Sequence, residues 1–280
     1  MIMTRREWYA QAVSCLSCAG CEDAAFDARC LLEDIGGMPR GHAPDATVLT
    51  VEQTAALAHA LEERADGRPL QYILGEWEFL TLTLSVGEGV LIPRADTECL
   101  CEQTARHLAG IEHPRVLDLC AGSGCVGLGI ASLCPAAQVT AVELSDAALP
   151  FLQKNIARYP DFAVTVRQAD VLRDFDIFPH GWDAIVSNPP YIPRADLAGL
   201  MREVQREPRM ALDGDTDGLL FYRAIAEHWV PKLRDGGICA VEVGIGQAAD
   251  VAALFTEAGL KDVCITRDLG GVERVVTGKK

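Results

Sequence analysis

From about residue 97 onward, short apolar runs alternate with stretches whose apolar positions recur at helical spacing. The runs predict strands over 115–119, 138–143, 163–168, 182–187 and 238–243, with two further short strands at the C-terminal end. Between them the spacing predicts helices from about 124 and over 146–158, 216–234 and 247–258. Apolar strands that alternate with amphipathic helices pack as a mostly parallel sheet with helices on both faces, because each helix must bury its apolar stripe against the sheet. The expected class is therefore α/β.

The first seventy or so residues carry a different pattern. Ala28, Leu31, Leu32 and Ile35 recur at helical spacing and Gly36-Gly37 supplies a stop. Thr50 with Gln53 makes a capping box for another helix that Gly67 can end. From Trp77 to Ile92 the period changes to two, with a Gly87-Glu88-Gly89 turn, which predicts a hairpin or an extended linker. The organisation expected is a helical bundle over 1–75, a hairpin linker over 76–96 and an α/β domain over 97–280.

Composition narrows the function classes. Apolar residues make up 49% and charged residues 23% of 280, the balance of a globular protein with a large core. The N-terminus reaches charged residues at once, and Val116 to Leu133 is interrupted by Asp118 and four glycines, so neither a signal peptide nor a membrane span is expected. The chain is read as cytoplasmic and monomeric, and its 11 cysteines as thiols. Cys15, Cys18, Cys21 and Cys30 have spacing open to a metal, but no second CxxC or HxxxH accompanies them, and no metal is assigned. A net charge of -15 disfavours broad capture of a nucleic-acid backbone, which needs clustered cations.

The candidate chemistry sits at strand ends. The strand containing Asp118 runs straight into Cys120-Ala121-Gly122-Ser123-Gly124 and then a helix, which places a glycine turn where open α/β sheets bind ligands. A second acidic residue, Glu143, ends the next strand, where a carboxylate can accept hydrogen bonds from both hydroxyls of a ribose. The loop is less regular than GxGxxG, and Asp170 follows a later strand where it can meet an adenine amino group or a cofactor amine. These features favour S-adenosylmethionine over a dinucleotide.

Asn188-Pro189-Pro190-Tyr191 follows the apolar strand Ala184-Ile185-Val186. The prolines fix φ and push their predecessors to extended geometry, giving a stiff loop end rich in acceptors. A planar NH2 conjugated to a carbonyl or ring is a poor nucleophile, because its lone pair is delocalised. The side-chain oxygen of Asn188 and the backbone carbonyl of Pro189 can hold its two hydrogens and turn the nitrogen toward a sulfonium methyl. Tyr191 can stack on the planar group or wall the pocket. Asn188 is counted toward the cofactor as well as the substrate.

With these motifs stand Gly67-Arg68-Pro69-Leu70-Gln71-Tyr72-Ile73-Leu74-Gly75, Leu91-Ile92-Pro93-Arg94-Ala95-Asp96-Thr97-Glu98, and Glu207-Pro208 before Ala211-Leu212-Asp213-Gly214. Together they resemble the release-factor glutamine methyltransferases over nearly the whole chain. The resemblance implies a seven-stranded Rossmann-like methyltransferase domain behind a helical substrate-recognition domain and a β-hairpin. The implied substrate is the glutamine of the Gly-Gly-Gln motif in class 1 peptide-chain release factors. Cys120 to Gly124 and Glu143 would hold S-adenosylmethionine, Val171 would lie near the adenine, and Asn188, Pro189, Pro190 and Tyr191 would hold the glutamine.

Two departures stand out. Cys120 and Ala121 replace the common Gly and Thr, and Ala95 replaces a common Pro. Arg94 and Glu98 are expected either to support the pocket or to form an interdomain salt bridge. Other readings of the same tetrapeptide are methylation of a ribosomal-protein glutamine, methylation of an exocyclic adenine nitrogen on a flipped base, and a non-catalytic cofactor-binding protein.

Overall fold

The computed structural model describes residues 3–280, which divide into two compact units, 3–76 with 201–206 and 77–200 with 207–280. The first unit contains α1 (Arg5–Cys18), α2 (Ala24–Asp34), α3 (Val51–Ala65) and α4 (Leu70–Leu74). The capping box of α3 forms as its sequence requires, with Gln53 N donating to Thr50 Oγ1 at 3.1 Å and Thr50 N to Gln53 Oε1 at 2.9 Å. A second box starts α1, where Thr4 and Glu7 satisfy each other's backbone donors.

Trp8, Ala12, Leu16, Ala28, Leu31, Leu32, Leu57 and Ala60 are buried in this unit. Inside it Arg64 is 5% exposed and its Nε donates to Asp27 at 2.6 Å, while Nη2 pairs with Glu203. A buried guanidinium needs both partners, since an unpaired charge there costs several kcal/mol. Of the N-terminal cysteines, Cys15 and Cys18 are exposed and Cys21 and Cys30 half-buried, all free. Among the described residues no three His, Cys, Asp or Glu side chains converge as a metal site.

The second unit opens with the hairpin β1 (Glu76–Phe79) and β2 (Leu82–Ser85), of which Glu76 alone counts with the helical unit. Its apolar face is part of the α/β core, with Phe79, Leu82 and Leu84 packed among Leu100, Leu128 and Ile130. The elements that follow are α5 (Glu98–Leu108), β3 (Arg115–Leu119), α6 (Cys125–Leu133), β4 (Gln138–Glu143), α7 (Leu149–Arg158), β5 (Ala163–Gln168), β6 (Trp182–Ser187), α8 (Leu220–Ala224), β7 (Leu233–Glu242), α9 (Ala248–Glu257), β8 (Lys261–Arg267) and β9 (Glu273–Lys279).

The seven-stranded sheet has the order β5-β4-β3-β6-β7-β9-β8, with β9 antiparallel to both neighbours and the remaining pairs parallel. This is the α/β class expected from the alternation, in the seven-stranded Rossmann-like form that the resemblance implies. The chain winds outward from β3 in one direction through β4 and β5 and in the other through β6 and β7. The carboxyl end of β3 is thus the switch point, where the diverging loops leave a crevice.

Two elements differ from the expectation. The helix anticipated over 216–234 starts at Leu220 and passes from α through a π turn at Ile225–Trp229 to a 3₁₀ turn at Val230–Lys232. The π turn coincides with the burial of Trp229, whose Nε1 donates to Val171 O at 2.9 Å. Strand β7 begins at Leu233 rather than at 238. Among the described residues no helix is long and apolar enough to cross a membrane.

Candidate active site

A cavity of about 340 Å³ opens at the carboxyl ends of β3, β4 and β6. Strand β3 delivers Cys120, Ala121, Gly122 and Ser123 to its wall, β4 delivers Glu143, the turn after β5 delivers Asp170 and Val171, and β6 delivers Asn188 and Pro190. Asp118, Gly124, Pro189 and Tyr191, also singled out in the sequence, are not among the lining residues.

Asp118 lies beneath the glycine turn instead of facing the cavity. It is fully buried, its Oδ2 accepts from Gly127 N at 2.9 Å, and burial pushes its pKa up to about 8. Gly127 stands in the first turn of α6, whose N–H groups have no partner within the helix, so Asp118 supplies a cap from the preceding strand. Its role is to aim the helix. Gly124 turns the chain into α6 at φ +83°, and a Cβ there would lie 2.6 Å from Leu152 Cδ1.

Gly122 has φ +55°, and a Cβ added to it would meet nothing nearer than Val90 Cγ2 at 4.0 Å. The space beside the backbone is therefore open cavity. Its N–H donates to Glu143 Oε2 at 2.7 Å, while Glu143 Oε1 accepts from Leu144 N at 2.8 Å and Ser145 N at 2.7 Å. A carboxylate offers about four acceptor sites. Three are taken by the backbone, which leaves Oε2 one lone pair for a ribose hydroxyl rather than capacity for two.

Asp170 forms an Asx turn, its Oδ1 accepting from Leu172 N at 2.9 Å and its Oδ2 lying 3.5 Å from Arg173 Nε. It shapes the loop and still faces the cavity. With the apolar walls of Val142, Ala169, Val171 and Leu172, these groups fit an adenosine: a flat apolar slot, one carboxylate lone pair and an unobstructed backbone.

Cys120 carries the clearest cost of the sequence departure. It has φ +60°, a left-handed conformation that strains any residue with a Cβ and that the glycine common in the family takes freely. Burial pushes its thiol pKa well up. Cys120→Gly is expected to raise stability by up to about 1 kcal/mol, the relieved strain exceeding the added freedom of the unfolded chain. Urea denaturation measures this, and a loss of stability would contradict the strain argument.

Asn188 is oriented by a residue the motif does not contain. Its Nδ2 donates to Thr97 Oγ1 at 3.1 Å, and Thr97 Oγ1 donates to Glu242 Oε2 at 2.6 Å. The amide NH2 is thereby committed to Thr97, which also lines the cavity, and among the described residues no protein donor is recorded on Oδ1. Tyr191 is held elsewhere, its Oη donating to Glu242 Oε1 at 3.4 Å and its carbonyl accepting from Gln247 Nε2 at 2.9 Å. Gln247 Oε1 also accepts from Gly244 N at 3.0 Å, so one side chain clamps the proline loop to the end of β7.

Arg94 and Glu98 have separate duties inside the α/β unit. Arg94 lines the cavity and pairs with the buried Glu207, whose Oε2 also accepts from Ile92 N at 2.9 Å. Both partners belong to the same unit, so the interdomain alternative fails. Glu98 accepts from Leu80 N at 2.8 Å and fixes the hairpin turn.

Sequence reasoning missed Asn155 on α7 as well. It accepts from Ser85 N at 2.6 Å and donates to Ser85 O at 3.1 Å and Ser123 O at 2.9 Å, joining hairpin and glycine turn. An Asn inside an amphipathic helix, where it is intrinsically disfavoured, is the signal that pointed to it.

A switch-point cavity, a glycine turn after β3, an acidic end to β4 and an acceptor-bearing proline loop after β6 together define an S-adenosylmethionine-dependent methyltransferase. Comparison with known sequences agrees: residues 7–75 match the PrmC N-terminal domain and residues 97–214 the methyltransferase small domain. The release factor glutamine methyltransferase of Geobacter sulfurreducens is 43% identical, covering 82% of this chain and 80% of that protein. That of Caulobacter vibrioides is 35% identical across 100% of this chain and 98% of its own. Among solved structures the hMettl16 catalytic domain shares the fold, with TM-score 0.57, 14% identity and 81% of each chain covered. The chain belongs to the release factor glutamine methyltransferase family.

Proposed function

We propose that this enzyme methylates the side-chain amide nitrogen of the glutamine in the Gly-Gly-Gln motif of class 1 peptide-chain release factors, in the cytoplasm. The observation that carries the reading is the unpartnered Oδ1 of Asn188, a residue of the cavity wall whose NH2 is committed to Thr97. A glutamine amide is a donor on nitrogen, and an unpartnered oxygen is the acceptor it needs. The relatives' names, release factor glutamine methyltransferase, support a release-factor substrate.

S-adenosylmethionine supplies a methyl group on a positively charged sulfur, and the protein's task is placement. Gly122, Glu143, Asp170 and Val171 hold the nucleoside end. Asn188 Oδ1 would accept one amide hydrogen, which restrains the rotation of the nitrogen and would turn its lone pair toward the methyl group. Attack of that nitrogen on the methyl carbon would release the sulfur as a neutral thioether, and the proton lost from the nitrogen would pass to water. Tyr191, anchored to Glu242 and Gln247, keeps the loop from relaxing.

We assign the helical unit, with its buried Asp27–Arg64–Glu203 cluster, to docking the release factor. The test is mass spectrometry of release factor incubated with enzyme and cofactor. One methyl on the glutamine of the Gly-Gly-Gln peptide is expected. Methyl transfer to adenine in nucleic acid, with none to release factor, would overturn the assignment.

A further inference from the structure

We propose that Glu242 is a positioning residue whose carboxylate, acting through the hydroxyl of Thr97, decides which end of the Asn188 amide faces the cavity. The inference rests on the reading of Asn188 Oδ1 as the acceptor for the substrate amide, and it adds the group that keeps that oxygen in place.

Thr97 is fully buried and its hydroxyl carries one hydrogen. An ionised Glu242 has no hydrogen to give, so the 2.6 Å contact is Thr97 Oγ1 donating to Glu242 Oε2. Thr97 Oγ1 is then an acceptor toward Asn188, and only Nδ2 can answer it at 3.1 Å. Oδ1 is left without a protein partner.

Protonation of Glu242 on Oε2 reverses each step. The carboxylic acid donates to Thr97, the Thr97 hydrogen turns to Asn188, and the amide rotates to offer Oδ1 inward and NH2 to the cavity. Two NH2 groups then face each other, and the substrate loses its acceptor.

The surroundings place this exchange in an accessible range. Glu242 ends β7 at 1% exposure. Burial pushes its pKa up to about 7, opposed by the hydrogen bond from Thr97, by Arg274 and by the hydroxyl of Tyr191, and assisted by Asp96. Asp96 and Arg274 are themselves paired at 3.0 Å. Tyr222, which donates to the Glu242 backbone carbonyl at 2.9 Å, the buried thiol of Cys101 and the half-buried thiol of Cys125 also lie around it. Because the carboxylate is the competent form, transfer rises with pH.

Two measurements test the proposal separately from the identity of the substrate. In substrate-free enzyme labelled with ¹⁵N on asparagine side chains, the Asn188 NH2 signals, assigned by their loss in Asn188→Ser, are expected to titrate near pH 7. The same signals are expected to stay fixed in Glu242→Gln. Signals that do not titrate in the wild type, or that titrate equally in Glu242→Gln, would overturn it.

In the transfer assay the wild-type kcat is expected to rise between pH 6 and 8 with a midpoint of about 7. Glu242→Gln flattens that limb. Thr97→Val lowers kcat at least tenfold with little change in the KM for cofactor, and Thr97→Ser regains most of the loss. A Thr97→Val enzyme with undiminished kcat rejects the relay. If the wild type methylates no release factor while the Asn188 signals still titrate, the substrate assignment fails and the relay stands.

Discussion

Asn188→Ala is expected to lower kcat by about 10²–10³-fold, the loss typical when one preorganised hydrogen-bonding group is removed from a reacting centre. Cofactor affinity is expected to change by only a few-fold. The reasoning is geometric: the NH2 of Asn188 is spent on Thr97 Oγ1 at 3.1 Å, so its oxygen is the only polar atom of that side chain left for a ligand. Truncation removes that acceptor and leaves a substrate amide free to rotate its lone pair away from the methyl. The side chain is half-buried and its removal leaves Thr97 bonded to Glu242, so the fold survives. Steady-state kinetics with release factor, alongside calorimetry for the cofactor, separates the two effects. A folded variant with wild-type kcat would remove Asn188 from the reaction.

Much of this arrangement was legible in the sequence, and the limit has a physical form. The apolar runs at 115–119, 138–143, 163–168 and 182–187 become strands at those bounds, because five or six residues rich in valine and isoleucine are too short for a helix. The glycine turn and the proline loop were also legible, since each needs residues with unusual backbone freedom or restriction. Partners distant in sequence were not. Glu242 lies 145 residues from Thr97, and Glu207 lies 113 from Arg94; no local pattern links them. For Asp118 the sequence pattern did not show that the sheet buries the carboxyl and sets Oδ2 against the first turn of α6. Likewise Glu143 was legible as a site residue, but its hydrogen bonds to Leu144 and Ser145 depend on a loop shape that spacing does not encode.

Those bonds make Glu143 the residue whose loss is expected to affect the cofactor most. Glu143→Ala is expected to weaken S-adenosylmethionine binding by about 10²-fold, comprising the ribose hydrogen bond to a charged acceptor, worth roughly 1.5–3 kcal/mol, and the loosened glycine turn. It is also expected to reduce stability by about 1–3 kcal/mol, because the N–H groups of Gly122, Leu144 and Ser145 lose their acceptor together. Glu143→Gln separates the contributions. Its amide keeps one oxygen but turns an NH2 toward backbone donors, so it restores part of the packing and little of the charge-assisted bonding. Affinity should therefore remain well below wild type in Glu143→Gln even where stability recovers, as measured by calorimetry and thermal denaturation on the same samples. Wild-type affinity in either variant would show that the nucleoside is held by the turn and the apolar slot alone.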